Sequence, residues 1–378
     1  MRFLRGLSPK TAENLVKALI VAALLFFSDA GFNGYTDIEQ RFFVLAMGID
    51  KGTEEEPYEV TLKLSVPQPS LSSNNENEYL LLSKRSRSIA GAVAFLKAKA
   101  GKEFDFGHMR IIFIGDGLAG EPWLKTLDWF FRRRDVQNVA YVAVARPTAK
   151  EVLRLHPDYE RIPANAFLLS FGSEGTESPY IVSTYLFDMH RNLFERGVDP
   201  VVSIVEALGR NQYEIRDSYV VNESGGKLEL NAVETGLFNI FLMRSERSTL
   251  VVDDGLGMPF AMTADEIHLD YRFDMNPNRP AIVIRGDVYA QMEEASERVE
   301  PQRLADFERR AERHINEKMI QLLVKLQRNG FDPFGFGLRY RAAHMDQESE
   351  WEEWRMIYPN VSFSSRIRVR LSGTGTIK

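Results

Sequence analysis

The chain contains no cysteine. Disulfides, thiolate zinc sites, iron–sulfur clusters and a cysteine nucleophile are therefore excluded, and so is a lipid anchor linked through a thiol. Neither charge sign dominates: 47 basic against 53 acidic side chains leave a net charge of −6, so nucleic acid meets no overall attraction. Histidine is scarce. His108, His156, His190, His268, His314 and His344 are the six present, and none forms an H-x-x-x-H pair or stands at metal-ligand spacing from a carboxylate, so no metal site is expected. No G-x-S-x-G elbow occurs, which deprives an exported-hydrolase reading of its local signature. Beyond residue 30, no apolar run approaches the roughly 20 residues that a membrane-spanning helix needs.

The first thirty residues are different. Arg2, Arg5, Lys10 and Lys17 precede ALIVAALLFF at residues 18–27, a basic flank followed by an apolar core of signal-peptide length. Residues 1–35 are therefore expected to act as a signal peptide or membrane anchor, retained or cut near the small residues Ser28 and Ala30. The rest of the chain then works outside the cytoplasmic membrane, and any further membrane contact is peripheral. With 378 residues, 44% of them hydrophobic and 26% charged, the remainder is ordinary globular sequence long enough for about two domains.

Residues 42–49 (FFVLAMGI) form a nearly unbroken apolar run, as in a strand buried on both faces. Val60, Leu62, Leu64 and Val66 alternate with polar residues, which predicts a half-buried strand paired with the first across a charged turn. PQPSLSSNNENE at 67–78 reads as a surface loop. Helices are predicted over 88–99, 123–133, 148–155 and 180–195, and strands over 110–114 and 139–145, an alternation typical of α/β packing. GVDP at 197–200 looks like a junction, after which strands dominate: Gly225 and Gly226 mark a hairpin, and 282–289 a further strand. From Leu304 to Leu326, apolar residues recur at steps of three or four in one helical stripe. Residues 361–371 alternate apolar side chains with Ser362, Ser364, Arg366, Arg368 and Arg370. The fold expected is α+β (mixed α/β), two or more bodies of mixed sheets with packed helices, divided as 36–200 and 201–378.

Three patterns invite chemistry. GDGLAG at 115–120 is a literal G-x-G-x-x-G between a strand and a helix, yet Asp116 and Glu121 put carboxylates where a pyrophosphate would lie, and an ordinary strand-to-helix turn fits better. Glu348, Glu350, Glu352 and Glu353, interleaved with Trp351 and Trp354, read as a solvated helix face with two aromatic anchors. The arginine row at 366, 368 and 370 suits an exposed strand face with edge-protecting charge better than a phosphate site. No catalytic, cofactor-binding or metal-binding residue emerges.

Two stretches without recognisable chemistry carry a resemblance. DIEQRFFVLAMGIDK at 37–51 and FGHMRIIFIGDGLA at 106–119 resemble successive blocks of the Ger(x)C family, the C-subunit lipoproteins of bacterial spore germinant receptors. GFDPFGFG at 330–337, with Tyr340, Arg341, Trp354, Tyr358 and Pro359 and the final alternating strand, is similar to that family's C-terminal signature. Tyr35 stands where the family has its lipidated cysteine, so the resemblance implies no lipid attachment here, and the segment 235–262 matches poorly. The resemblance further implies a non-enzymatic extracytoplasmic subunit without cofactors, membrane-associated at the outer face of the spore inner membrane, taking part in nutrient-triggered germination beside integral-membrane receptor subunits. The competing expectations are an envelope-associated protein that binds a small ligand, and the exported hydrolase.

Overall fold

The computed structural model describes residues 10, 14 and 17–22 and, between 41 and 372, all but 66–78, 158–162, 173–177, 210, 243–247, 254, 256–257, 275–278, 297–298, 300 and 345–348. Most of the leader, Tyr35, the small residues at 28–30 and the polar stretch 67–78 lie outside the described residues. No helix among the described residues is long and apolar enough to cross a membrane.

The apolar run at 42–49 becomes β1 (Arg41–Lys51), which pairs antiparallel with β2 (Tyr58–Ser65), Met47 facing Leu62 and Ile49 facing Val60. β3 (Tyr79–Ser86) extends this meander. α1 (Ile89–Ala100) starts where the Ser88 hydroxyl accepts the Gly91 amide, and stops at Gly101 in the left-handed region, φ 66°. Then come β4 (Glu103–Asp105), β5 (Ile111–Gly115), α2 (Trp123–Phe131), β6 (Tyr141–Arg146), α3 (Ala149–Arg154), α4 (Pro163–Phe171), α5 (Leu186–Phe194), β7 (Val201–Leu208), β8 (Gln212–Val221) and β9 (Lys227–Leu230). The strand order is β3-β2-β1-β5-β6-β7-β8-β9, with β4 beside the start of β1 and with β1, β5, β6 and β7 parallel. A parallel sheet is covered on both faces, and the alternation follows: Ile112, Ile114, Val142 and Val144 meet α1, α2 and α5, while Ile111, Phe113, Ala143 and Ala145 meet α3 and α4.

This double coverage corrects the reading of β2 as half-buried. Thr61 and Lys63 are fully buried. The Thr61 hydroxyl lies 2.9 Å from that of Ser83, and the Lys63 amine donates to the carbonyls of Leu153 (2.9 Å) and Leu155 (3.2 Å). Those carbonyls end α3, where a donor is favoured. Burial lowers the Lys63 pKa to about 7. The expected helix over 180–195 shrinks to α5, because residues 182–184 are held extended: Val182 N–H donates to Ser203 Oγ (2.8 Å) and Val142 N–H to Thr184 O (2.9 Å).

The junction expected at 197–200 is not where the sheets change, since β7, β8 and β9 complete the first sheet. The change follows α6 (Ala232–Leu242). A second sheet holds β10 (Ser248–Val252), β11 (Phe260–Asp274), β12 (Ala281–Ala295) and, after α7 (Leu304–Arg328), α8 (Phe336–Ala343) and α9 (Glu350–Ile357), β13 (Ser362–Leu371), in that order. Because three helices intervene, β13 lies parallel to β12. The stripe of α7 is buried as expected: Phe307, Ala311, Ile315, Met319, Leu322 and Leu326 share a core with Ile367, Val369 and Leu371.

β13 is an edge strand, and α7 closes that edge. Asn316 accepts the Ile367 amide (2.8 Å) and donates to its carbonyl (2.8 Å), Glu312 accepts the Val369 amide (3.1 Å), and Glu308 accepts the Leu371 amide (2.9 Å). Four helix residues rise about 6 Å and two strand residues about 6.6 Å, so a helix period of four stays in step with a strand period of two. The edge is therefore guarded by helix side chains, whereas the arginine row lies on the outer face, with Arg368 paired to Asp287 at 2.8 Å. Asn316→Leu strips the partners from both polar groups of Ile367. It should cost about 2–6 kcal/mol, from roughly 1–3 per orphaned group, read as a lowered urea midpoint; an unchanged midpoint would show that water replaces Asn316 without penalty.

Candidate functional site

In sheets of this kind, ligands commonly bind beyond the carboxyl ends of the parallel strands, which here are Lys51, Gly115 and Arg146. That end is filled by a charge cluster. Asp116 accepts from the Tyr219 hydroxyl (2.9 Å) and Lys227 (3.1 Å), and Arg146 donates to Tyr219 (2.6 Å) and Glu229 (3.0 Å). Burial alone would raise the Asp116 carboxyl; the Tyr219 and Lys227 hydrogen bonds outweigh it and hold the pKa below the usual value. The same burial, with Asp116 beside it, pushes the Tyr219 hydroxyl upward. Residues 116–118 form one tight turn, and α2 begins only at Trp123, so the G-x-G-x-x-G glycines do not open a helix. Glu121, the other carboxylate of this turn, pairs with Lys51 at 2.7 Å.

Gly115 serves packing. A Cβ there would lie 2.1 Å from Asp50 Oδ1. Asp50 is buried and accepts the amides of Ala149 (2.7 Å) and Lys150 (2.9 Å), at the start of α3. Desolvation raises its pKa despite those amides. The stretches 37–51 and 106–119 thus touch through a carboxylate and the absence of a side chain.

The C-terminal stretch 330–337 makes the other dense polar site, a clasp between the sheets. Asp332 is buried and accepts the amides of Phe336 (3.1 Å) and Gly337 (2.7 Å), capping α8. Its own amide donates to Asp199 Oδ2 at 2.6 Å, and the Asp199 amide returns to Asp332 O at 3.0 Å. Gly197 (φ 92°) lies so close to Gly337 that a Cβ on Gly197 would approach the Gly337 carbonyl carbon to 2.5 Å. A Cβ on Gly337 would meet Trp354 Nε1 at 2.5 Å. Leu338 N–H donates to Gly197 O (2.9 Å), Arg341 to Arg196 O (2.9 Å), and the Tyr358 hydroxyl to Phe331 O (2.6 Å). Burial raises Asp332 to about 7 and Asp199 to about 6, the Asp199 carboxylate adding to the rise of Asp332 and Glu223 to that of Asp199.

Sequence reasoning named Asp116 and Glu121 but missed Asp50, Asp199 and Asp332. The available signal was the pair of Asp-Pro dipeptides at 199–200 and 332–333. The histidines are dispersed: His108 packs edge-on to Phe43, His190 touches Phe131 and Phe194, and His268 bonds Glu266. Among the described residues no three His, Asp or Glu side chains gather in a metal-binding group. Of the acidic cluster, the described Glu350, Glu352 and Glu353 lie on α9; Trp354 is buried and Trp351 half-buried. A broad groove of about 700 Å³ is lined by charged residues such as Asp270, Arg285 and Arg366, whereas an apolar cleft beside Leu237 and Val252 holds about 60 Å³.

Two family models match the chain. One, described as the spore germination protein N-terminal domain, covers residues 34–207, and the other, described as spore germination B3/GerAC like, C-terminal, covers residues 222–375. No curated protein matches. A solved structure titled "Crystal Structure of the GerBC protein" is similar in fold, with a TM-score of 0.55 at 18% identity over 89% of this chain and 100% of that one.

The clasp predicts an unusual pH response. Unfolded aspartates titrate near 4, so between about pH 4 and 7 the folded clasp holds protons that the unfolded chain has lost, and its contribution to stability falls as pH rises through this window. The melting temperature should drop across that range, and Asp332→Asn should flatten the drop; a variant with the parental slope would refute the assignment. Gly337→Ala should cost on the order of 3 kcal/mol or more, through overpacking against backbone and indole, in thermal unfolding.

Proposed function

This chain belongs to the Ger(x)C spore germination family, the C subunits of germinant receptors, and from that membership we propose that it serves its receptor as a non-enzymatic, extracytoplasmic scaffold. It is a germinant receptor subunit, a member of a receptor complex associated with the spore membrane. On our reading it stands at the outer face of the spore inner membrane, bound to the integral-membrane subunits, and takes part in nutrient-triggered germination without cofactor or catalytic residue. Two domains joined by the clasp, with the sheet change after α6, make up its body.

One observation carries this reading. The residues that bear the family resemblance are engaged inside the fold, Asp50 against Gly115 and Asp332 against Asp199, Gly197 and Gly337. The first pair locks β1, β5 and α3 together, the second fixes one sheet against the other, and neither presents a nucleophile or a paired acid and base to solvent. The small-ligand alternative is less well supported, because a ligand pocket usually offers about 300–1,000 Å³ with mostly apolar lining. Among the described residues the larger groove is lined mostly by charged and polar side chains, and the apolar cleft is too small.

The full chain, titrated calorimetrically with nutrients that trigger germination of its spores, should release no saturable heat. The same chain should co-purify with integral-membrane subunits from detergent-solubilised spore membranes, and its deletion should abolish the nutrient response. Saturable nutrient binding by the chain alone would replace the scaffold with a ligand-binding protein.

A further inference from the structure

One end of the first sheet is built unlike the other. β1, β4, β5 and β6 all begin at this end, with Arg41 opposite Glu103 and Ile111 opposite Tyr141. α2 finishes there at Phe131, and α5 starts there, where Leu186 N–H donates to Ala140 O (2.8 Å) and Phe187 N–H to Asn138 O (3.0 Å). Leu186, Met189 and Leu193 of α5 face the core. Phe187, His190 and Phe194, at spacings of three and four, form a second stripe that faces outward. Phe194 is 61% exposed, Phe187 43% and neighbouring Val139 50%. The His190 ring bridges Phe131 and Phe194 at 4.7 and 4.6 Å, so the rings form one continuous patch. A single exposed aromatic residue needs no explanation, whereas a contiguous aromatic stripe on the solvent side of an already buried helix does.

The charges of the two ends differ as well. Arg132, Arg133 and Arg134 follow α2 directly, the first two paired with Asp128 and Asp135, and Arg110 precedes β5. Arg110 and Arg134 are exposed, and among the described residues their side chains have no ion-pair partner. At the opposite end Glu54 and Glu55 are exposed and, among the described residues, have no ion-pair partner, whereas Glu56, Asp116 and Glu121 are paired with Lys84, Lys227 and Lys51. Chain direction adds the deciding constraint. The apolar run 18–27 enters the body through Arg41, at the aromatic end, and residues 28–40 span at most about 45 Å when fully extended.

We propose that this end, with Phe131, Val139, Phe187, His190 and Phe194 framed by Arg110 and Arg134, rests on an anionic lipid surface. Aromatic rings settle at the level of the headgroups, and arginines reach phosphate while their stems stay apolar. The end with the unpaired Glu54 and Glu55 then points away from the bilayer, where like charge would repel it. This orientation rests on the membrane placement proposed above, and it identifies which face meets the lipid.

The lack of cysteine makes the test direct. Single substitutions Phe187→Cys, Phe194→Cys and Glu54→Cys in the full chain accept an environment-sensitive fluorophore at one site each. The labelled chains are bound to vesicles of mixed phosphatidylcholine and phosphatidylglycerol containing brominated lipid, flotation confirms attachment, and circular dichroism confirms the fold. Labels at 187 and 194 should be quenched several-fold more than the label at 54, and Arg134→Glu should reduce that difference. If the chain floats but all three labels are quenched alike or not at all, the lipid-facing assignment is wrong while the membrane placement stands. If the chain does not float, the placement fails and the assignment with it. Shielding of 187 and 194 that requires the integral-membrane subunits and occurs without lipid quenching would give the patch to a protein partner and overturn the proposal.

Discussion

Asp332 sits where the chain passes from α7 into α8, and the relation between the two sheets runs through its backbone and the carboxylate of Asp199. The Asp332 carboxylate oxygens hold the first amides of α8, its backbone is laced to Asp199 on the approach to β7, and two glycines beside it let the backbones of 197 and 337 close to van der Waals contact. A protein without cysteine has no covalent means of fixing one sheet against another. Backbone approach through glycine, with a buried carboxylate to satisfy the amides that approach exposes, achieves the same end reversibly. The arrangement carries a charge-burial cost, visible in the raised pKa values of Asp332 and Asp199, which accords with the general expense of taking ionised groups out of water.

The same economy of groups recurs where elements meet. Lys63 stops α3, Asp50 starts it, Asn316 and its neighbours complete β13, and Ser203 holds the chain ahead of α5. In each case a polar side chain on one element satisfies backbone groups that another leaves open. These side chains are buried or half-buried, and their hydrogen-bonding capacity is directed inward. What a body organised in this way leaves exposed is the outer face of the second sheet, the charged groove, and the aromatic end of the first.

Much of this was legible in the sequence, and the exceptions have physical causes. The strands β1, β5 and β6 showed as apolar runs because both faces are covered, and α7 showed because 25 residues of regular period leave little ambiguity. β11 escaped notice, although Phe260, Met262 and Ala264 are buried on one face, because the register shifts between Ala264 and Glu266 and the burial resumes at Ile267 and Leu269 in the opposite phase. A two-residue period does not survive an inserted residue. β2 looked half-exposed because Lys63 is read as a solvent residue unless something is known to receive its amine. The clasp was illegible for a different reason: its two aspartates are separated by 133 positions, and no local pattern links them. The G-x-G-x-x-G turn looked functional because glycine spacing records only that backbone must pass closely, not what it passes, which here is Asp50.

The parallel pairing of β12 with β13 has a consequence for the order of assembly. The partner that completes β12 lies some 80 positions further along, Ser362 meeting Pro280 across 82 residues, with α7, α8 and α9 between them. While the chain is being made or threaded, β12 therefore presents a bare edge, and α7 has an apolar stripe with only part of its seat. The second sheet can close only after β13 has emerged, which puts its completion late and makes the interval before it the period of greatest exposure to wrong pairing. A nascent chain halted before residue 362 would expose a 15-residue strand with one side unpaired, a species for chaperones to shield rather than a smaller folded protein.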